Sequence, residues 1–362
     1  HTLASDFLII GAGVIGLSTA YELSLSGASV VVIDKGQAGR EASWAGAGIL
    51  SALLPWEYSV SVNRLTSLGA DMYPTWIAAL EKASAVAVEF ELSGMQILPP
   101  FDPYLAMKWC AKNEIRAEIT PDKNLYMPDL AQVRPPRLIL ALKQTLLNRG
   151  VEIREGVEAL GLENQHGRVT GLVTRTGQLY ASQYVLTCGA WINNLLNINN
   201  IISNLRPVRG QMLLFKRDAG GLKNILYREG KYVVPRRDGH ILVGSTVEET
   251  GFDNSTTDAA RQELRAAGMA MFPPLADLKP IAQWAGLRPG SKDNIPLIDR
   301  HPVWENCYIN TGHFRYGLTM APAAAKLLGC CISGVTPPIS LAPYSFMGHI
   351  KQKNYNSLII FK

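Results

Sequence analysis

The sequence predicts an α/β protein in which a helix-covered parallel sheet is joined to a second, largely antiparallel sheet. Three observations predict it. Residues Asp6–Asp34 read as strand, glycine turn, helix and strand; Pro135–Gly150 reads as a punctuated amphipathic helix; Val208–Thr246 holds three short apolar runs separated by turn residues. The chain has 362 residues, enough for about two or three domains, and is 47% hydrophobic and 18% charged, which excludes an unfolded chain or a disulfide-dependent miniature scaffold.

The elements follow in order. Asp6–Ile10 is a compact apolar strand, Gly11-Ala12-Gly13-Val14-Ile15-Gly16 turns the chain into a helix through Leu25, Gly27 ends it, and Val30–Ile33 forms the next strand, stopping at Asp34. Parallel strands joined by a right-handed crossover put the glycine turn at the carboxyl edge of the sheet, where ligands bind. Pro135 and Pro136 open a second helix, Leu138, Leu142, Leu146 and Leu147 form its apolar stripe, and Gly150 closes it. Strands are expected at 151–154, 169–174, 179–181 and 184–187, then at 211–216, 231–235 and 240–245, the last two joined by a turn at Arg237-Asp238-Gly239. A helix is expected from Thr257 to Met271, before Pro273 and Pro274, and a final one from about Pro322 to just before Gly334. Leu341–Lys362, rich in Asn and Lys, reads as a surface tail. The absence of internal repeats and low-complexity linkers argues for interleaved parts.

Charge narrows the partners. Thirty-five basic and 30 acidic residues leave +5, with no Lys/Arg run longer than two, so nucleic acid is not expected, whereas a small anion held by single arginines is compatible. Five cysteines without a C-x-x-C pair read as reduced thiols, and no metal site is expected. The apolar stretch Leu318–Val335 is broken by Pro322 and Lys326, so no transmembrane span is expected and the expected location is cytoplasmic. The chain opens on His1 rather than Met, which reads as a processed end or an added remnant.

The glycine turn carries the first chemistry. Gly11 permits a tight turn, Gly13 lets backbone approach a pyrophosphate, Gly16 packs helix on strand, and Asp34 stands where a ribose hydroxyl pair would be bound: a Rossmann-like dinucleotide fingerprint, compatible with FAD or NAD. Small residues follow in Gly36–Leu50, among them Ser43, Ala45, Gly46, Ala47 and Gly48, suited to backbone contact with a flat ring or phosphate, or else a flexible loop. Tyr184–Thr187 runs into Cys188-Gly189-Ala190-Trp191, where a nucleotide could lie; Trp191 also reads as a core residue.

Four blocks together resemble the glycine oxidase and D-amino-acid oxidase family of flavoproteins, in particular the glycine oxidases associated with thiamine biosynthesis. They are Ile9–Gly16 with Asp34; Ser43-Trp44-Ala45-Gly46-Ala47-Gly48; Trp284-Ala285-Gly286-Leu287-Arg288-Pro289-Gly290 with Asn294-Ile295-Pro296; and Gly312-His313-Phe314-Arg315-Tyr316-Gly317. The resemblance implies noncovalent FAD, an FAD-binding domain made of residues 1–50, 135–200 and 285–345, and a substrate domain of residues 51–134 and 201–284 on a mixed sheet, with 346–362 left as a tail. It also implies oxidation of a small amino acid (glycine, sarcosine or a small D-amino acid) by hydride transfer from its α-carbon to the flavin, with molecular oxygen yielding hydrogen peroxide. An amino-acid dehydrogenase passing electrons to a quinone and a non-catalytic flavin-binding interaction protein are the alternatives, and a homo-oligomer is left open.

A carboxylate in a water-poor pocket needs a permanent planar cation. Arg288, the arginine of W-A-G-L-R-P, is the first candidate, the other reading being a structural salt bridge near Asp293 or Asp299. By resemblance Tyr232 bonds the same carboxylate and Arg315 is a second arginine beside the pocket. Cofactor contacts are implied at Gly11, Gly13, Val14, Ile15, Gly16, Asp34 and Lys35, at Ser43, Ala45, Gly46 and Gly48, and at Val157, Cys188, Gly189 and Trp191. Arg288, His313, Phe314, Arg315, Gly317, Leu318 and Thr319 complete the set, with His313 lining the flavin rather than acting as a base. The chain departs from the family pattern at Asp34 (commonly Glu), Tyr316 (often Asn), and Ile49 and Val247, pocket positions that can be Met.

Overall fold

A computed structural model describes residues 4–40, 46–192, 195, 205–218 and 221–351. A six-stranded sheet runs in the order Leu297–Arg300, Cys307–Thr311, Ala181–Leu186, Ser5–Ile10, Val30–Ile33, Glu152–Arg154, and every pair is parallel except the first. The stretches Phe7–Ile10, Val30–Ile33 and Tyr184–Leu186 of its strands are continuously apolar because helices cover one face and a three-stranded antiparallel layer the other. Their parallel direction brings Gly11, Asp34, Thr187 and Gly312, each just past a strand's end, to one edge.

A second sheet of eight strands runs Ala282–Gly290, Arg206–Lys216, His240–Gly244, Lys231–Pro235, Ile225–Arg228, Met95–Ile97, Leu125–Met127, Glu118–Ile119. All its pairs are antiparallel except Ile225–Arg228 with Met95–Ile97, the mixed, largely antiparallel sheet expected. The helix Pro103–Lys112 buries Ala106 and Cys110 on one face, and Asp258–Met271 buries Leu264 and Met271 on the other. Full burial of a side chain such as Leu264 contributes about 1.5–3 kcal/mol.

Three expectations are corrected. The helix Val60–Ser84 is capped by Ser59, and its Val62, Leu65, Tyr73 and Leu80 join the core under the parallel sheet, so it packs on the nucleotide side although residues 51–134 were assigned to the substrate part. The last helix starts at Gly317 and holds Pro322 inside it. A proline there leaves the carbonyl four residues back without its helical donor, and the Tyr73 hydroxyl donates to that Leu318 carbonyl instead, at 2.5 Å. The described part of the tail, through residue 351, is anchored: Tyr344 and Phe346 are buried, the Tyr344 hydroxyl donates to the Ser61 carbonyl, and the Phe346 N–H donates to Asp299. Among the described residues the cysteines are unpaired, no cluster of potential metal ligands occurs, and no helix is long and apolar enough to cross a membrane.

Candidate active site

Two neighbouring cavities lie between the sheets. The first is lined by Gly11, Gly13, Ile15, Asp34, Lys35 and Val157, and by Cys188, Gly189 and Trp191. The glycine turn is stereochemically required. Gly11 has φ +111°, and a Cβ there would lie 2.7 Å from the Thr187 carbonyl; one on Gly16 would overlap the Gly11 carbonyl oxygen. The Thr187 hydroxyl donates to that oxygen at 2.8 Å, fixing the turn to the neighbouring strand. Gly16 therefore acts by packing and is not part of the lining. Gly13 stands at the N-cap of the helix Val14–Leu25 with no side-chain cap of its own, and the helix N-terminus favours an anion there. Asp34 accepts from the Ala12 N–H and the Gly36 N–H, each at 2.8 Å, so its carboxylate braces the turn while each oxygen keeps a lone pair. Trp191 is half-buried on the cavity wall, not in the core, and stacks on Phe252 with centroids 4.2 Å apart. Burial pushes the Cys188 thiol up to about 12, so it stays protonated.

Ile15 and Pro289 line both cavities. The second is lined by Val14, Gly46, Gly48, Tyr232, Ser245 and Arg288, and by His313, Phe314, Arg315, Gly317, Leu318 and Thr319. Ile49 lines it too, whereas Val247 is exposed and does not. Ser43 and Ala45 lie outside the described residues. Arg288 is half-buried on the strand Ala282–Gly290; it donates to Ser245 Oγ at 2.6 Å and to the Thr246 carbonyl at 3.3 Å, and pairs with neither Asp293 nor Asp299. Loss of solvent pulls its pKa below the ordinary value; the nearby Tyr232 opposes that pull and Arg315 adds to it. Arg315 is exposed at the mouth, next to Phe314, whose φ of +51° is left-handed.

Sequence reasoning missed three contributors. Gly210 lies beneath the Arg288 guanidinium, which a Cβ there would overlap, and a Cβ on Gly244 would lie 2.7 Å from the Tyr232 ring. Gly210 inside one strand and Gly244 at the end of another, normally unfavourable places for glycine, mark these close approaches. Arg236, the third, donates to Gln132 Oε1 at 2.7 Å and to the Ala47 carbonyl at 2.8 Å, tying the small-residue segment to the second sheet. Burial pulls its pKa down to about 10. Thr319 Oγ1 donating to the Ile49 carbonyl at 3.0 Å and the Leu53 N–H donating to the Tyr316 hydroxyl at 3.1 Å tie the segment to the final helix. Gly210→Ala is expected to raise KM for an amino acid about tenfold or more, with kcat much less affected, because the displaced guanidinium weakens binding of substrate and transition state alike. An unchanged KM would show that the gap is unnecessary.

The residues fit a flavin dinucleotide. Both His313 ring nitrogens are buried without a partner among the described residues, which calls for a polar neighbour from outside the chain. The helix Gly317–Ser333 also begins at the cavity with no side-chain cap and no acidic residue in its first turn, a setting that favours negative charge. Burial pushes the His313 pKa down to about 3 and that of His301 down to about 4. Unfolded histidine binds its proton near about pH 6.5, so between these values acid favours the unfolded chain, and stability is lost as pH falls below about 6.5. The Tm of the cofactor-free protein is expected to fall steadily from pH 7 to 4. His301→Asn, keeping an acceptor for the Val303 and Trp304 N–H groups, should flatten part of that slope. A Tm that rises on acidification contradicts this.

The profile of the family described as FAD dependent oxidoreductase matches residues 6–330. The chain is 39% identical to a glycine oxidase of Pseudomonas aeruginosa over 96% of its own length and all of the relative's, and 38% identical to a glycine oxidase of Pseudomonas putida with the same coverage. Its structure resembles that of glycine oxidase from Bacillus cereus with a TM-score of 0.85 at 24% identity, covering 92% of this chain and 96% of the other, a likeness of fold.

Proposed function

The chain belongs to the FAD-dependent oxidoreductase family and takes FAD as cofactor, and from that membership we propose that it deaminates a small amino acid oxidatively, with molecular oxygen as the final acceptor. Glycine is the first substrate to try, followed by sarcosine and D-alanine. The observation that carries this reading is Arg288, a guanidinium lining a cavity that shares Ile15 and Pro289 with the dinucleotide cleft, with Tyr232 beside it.

FAD, when bound, supplies a two-electron acceptor for the hydride that leaves the substrate α-carbon. Gly11, Gly13 and the N-terminus of Val14–Leu25 would hold its pyrophosphate, and Asp34 a ribose. The segment 46–49, Val157, Cys188, Gly189, Trp191, His313 and Phe314 would line it, with Lys35 beside Trp191. Arg288 presents its N–H groups to the substrate carboxylate and the Tyr232 hydroxyl adds a further donor, which fixes the α-carbon's position. The N–H groups opening the helix at Gly317–Thr319 favour negative charge in the cavity. Arg288 and Arg315 line this cavity and no Asp or Glu does among the described residues, a balance that favours the amine's free base over its ammonium form.

Purified protein is expected to be yellow and to release hydrogen peroxide when mixed with glycine in air. Peroxide from none of the three amines sinks the reading; bleaching without air, but no peroxide in air, points to a different electron acceptor.

A further inference from the structure

The strand Arg206–Lys216 has a different task on each face. Side chains alternate along a strand. Gly210 and Met212 face the second cavity, where the Arg288 guanidinium fills the space that a Gly210 side chain would take. Arg209 and Gln211 face the other way, toward Thr257 at the N-cap of the helix Asp258–Met271.

Behind the sheet lies a polar cluster that the substrate does not touch. Arg209, buried, gives two parallel N–H bonds to the Glu248 carboxylate, each at 3.0 Å. Gln211, also buried, donates to Glu248 at 2.9 Å and accepts from the Thr257 N–H at 2.9 Å. The Thr246 hydroxyl completes the cluster, donating to Glu248 at 2.8 Å and accepting the Gln211 N–H at 2.9 Å. The bonds from Arg209, foremost, hold the Glu248 carboxyl down to about 2. Replacing a buried ion pair by apolar side chains is often neutral or stabilising, so stability alone does not account for this one.

Thr246 does. Residues 246–248 run antiparallel beside 209–211: Arg209 and Glu248 exchange backbone bonds at 2.8 and 2.9 Å, and the Thr246 N–H donates to the Gln211 carbonyl at 3.3 Å. The Thr246 hydroxyl therefore meets the charged cluster, while its carbonyl accepts from Arg288 on the cavity side at 3.3 Å, next to Ser245 Oγ at 2.6 Å. We infer that Thr246 and Glu248 are positioning residues for Arg288: the ion pair behind the sheet fixes residues 245–246, and that segment holds the guanidinium for a carboxylate. The inference rests on Arg288 as the carboxylate group and adds the support that sets its geometry. A displaced fork loses one of its two parallel bonds, and affinity falls while the barrier from the bound state changes little.

Thr246→Val keeps the shape and the carbonyl and removes the hydroxyl. In the holoenzyme it is expected to raise KM for glycine about tenfold with kcat within about threefold of wild type, and to weaken acetate, read by the flavin absorbance, by the same factor. Thr246→Ser should recover most of the loss, and Glu248→Gln should act like Thr246→Val. Asp253→Asn removes the other carboxylate on Arg209, one that does not bond Thr246, and should leave both readouts as in wild type. Because the effect runs through Arg288, adding Thr246→Val to Arg288→Met should change kcat/KM by less than about threefold. Glycine and acetate affinities that Thr246→Val leaves within about threefold of wild type overturn the inference, as does a loss that persists undiminished in the Arg288→Met background. If Thr246→Val loses its FAD, Glu248→Gln decides by the same criteria; loss of FAD from both marks the cluster as scaffolding and overturns the inference. If no amine reacts, the oxidase reading fails and acetate alone decides: affinity that falls in Thr246→Val and Arg288→Met alike supports the inference, and affinity indifferent to either overturns it.

Discussion

Arg288→Met is expected to yield a yellow protein whose KM for glycine is at least about 100-fold higher than wild type. The Arg288 guanidinium is held from behind by Ser245 Oγ and the Thr246 carbonyl, and Gly210 leaves it room to lie flat. A carboxylate arriving from the cavity therefore meets a planar donor that has already lost most of its rotamer freedom. Charge-assisted bonds of about 1.5–3 kcal/mol each, two in a bidentate pair, come to about 3–6 kcal/mol, and about 1.4 kcal/mol corresponds to tenfold. Methionine keeps the apolar stem and removes every donor. Arg288→Lys should recover part of the loss, since a point charge replaces the fork. Steady-state kinetics on glycine, with flavin content measured on the same samples, check the prediction; a KM within threefold of wild type would remove Arg288 from the carboxylate site.

Much of this site was legible in the sequence because a parallel sheet sends the ends of its strands to one edge. Gly11, Asp34 and Cys188 are scattered along the chain, yet each stands within two residues of the end of an expected strand, so reading strand ends amounts to reading that cleft, whereas His313 was legible only through the family resemblance. What escaped depends on relations across space. Gly210 is a glycine in an otherwise good strand, and its reason appears only when Arg206–Lys216 pairs with Ala282–Gly290 and brings Arg288 over it. Arg236 finds its partners at Ala47 and Gln132, far away in sequence. The helix Val60–Ser84 hides behind Gly69 and Pro74, which read locally as breakers; a Cβ on Gly69 would overlap the Thr319 carbonyl, so the small residue permits close approach to the final helix. Pro322 marks a false start for the same reason, since local rules cannot foresee that Tyr73 will take the carbonyl it strands. Propensity reports the chain's own preference, and in each case a tertiary partner overruled it.

Gly16→Ala should abolish FAD binding outright. The added methyl would occupy the position of the Gly11 carbonyl oxygen and lie 2.7 Å from Thr187 Oγ1, and neither can yield cheaply. The Gly11 carbonyl accepts the Thr187 hydroxyl, while the Gly11 N–H donates to the Ile33 carbonyl at 2.8 Å, so the turn is clamped to both neighbouring strands. The helix Val14–Leu25 must then lift from the strand Ser5–Ile10, carrying its N-terminal donors away from the pyrophosphate and loosening Leu17 and Ala20 from the core. Overpacking of this kind costs about 1–3 kcal/mol in the cofactor-free protein, and the holoenzyme also loses whatever stabilisation bound FAD provides by mass action. The expected product is colourless, with a Tm that no longer responds to added FAD. Gly27→Ala is the control: Gly27 also has a left-handed φ, +86°, but nothing lies within 4 Å of a Cβ there. That variant should lose about 1 kcal/mol to backbone strain and remain yellow. Flavin stoichiometry from the visible absorbance of both proteins decides the matter, and a Gly16→Ala enzyme with a full complement of FAD would mean that the helix does not bear on the cofactor as this packing requires.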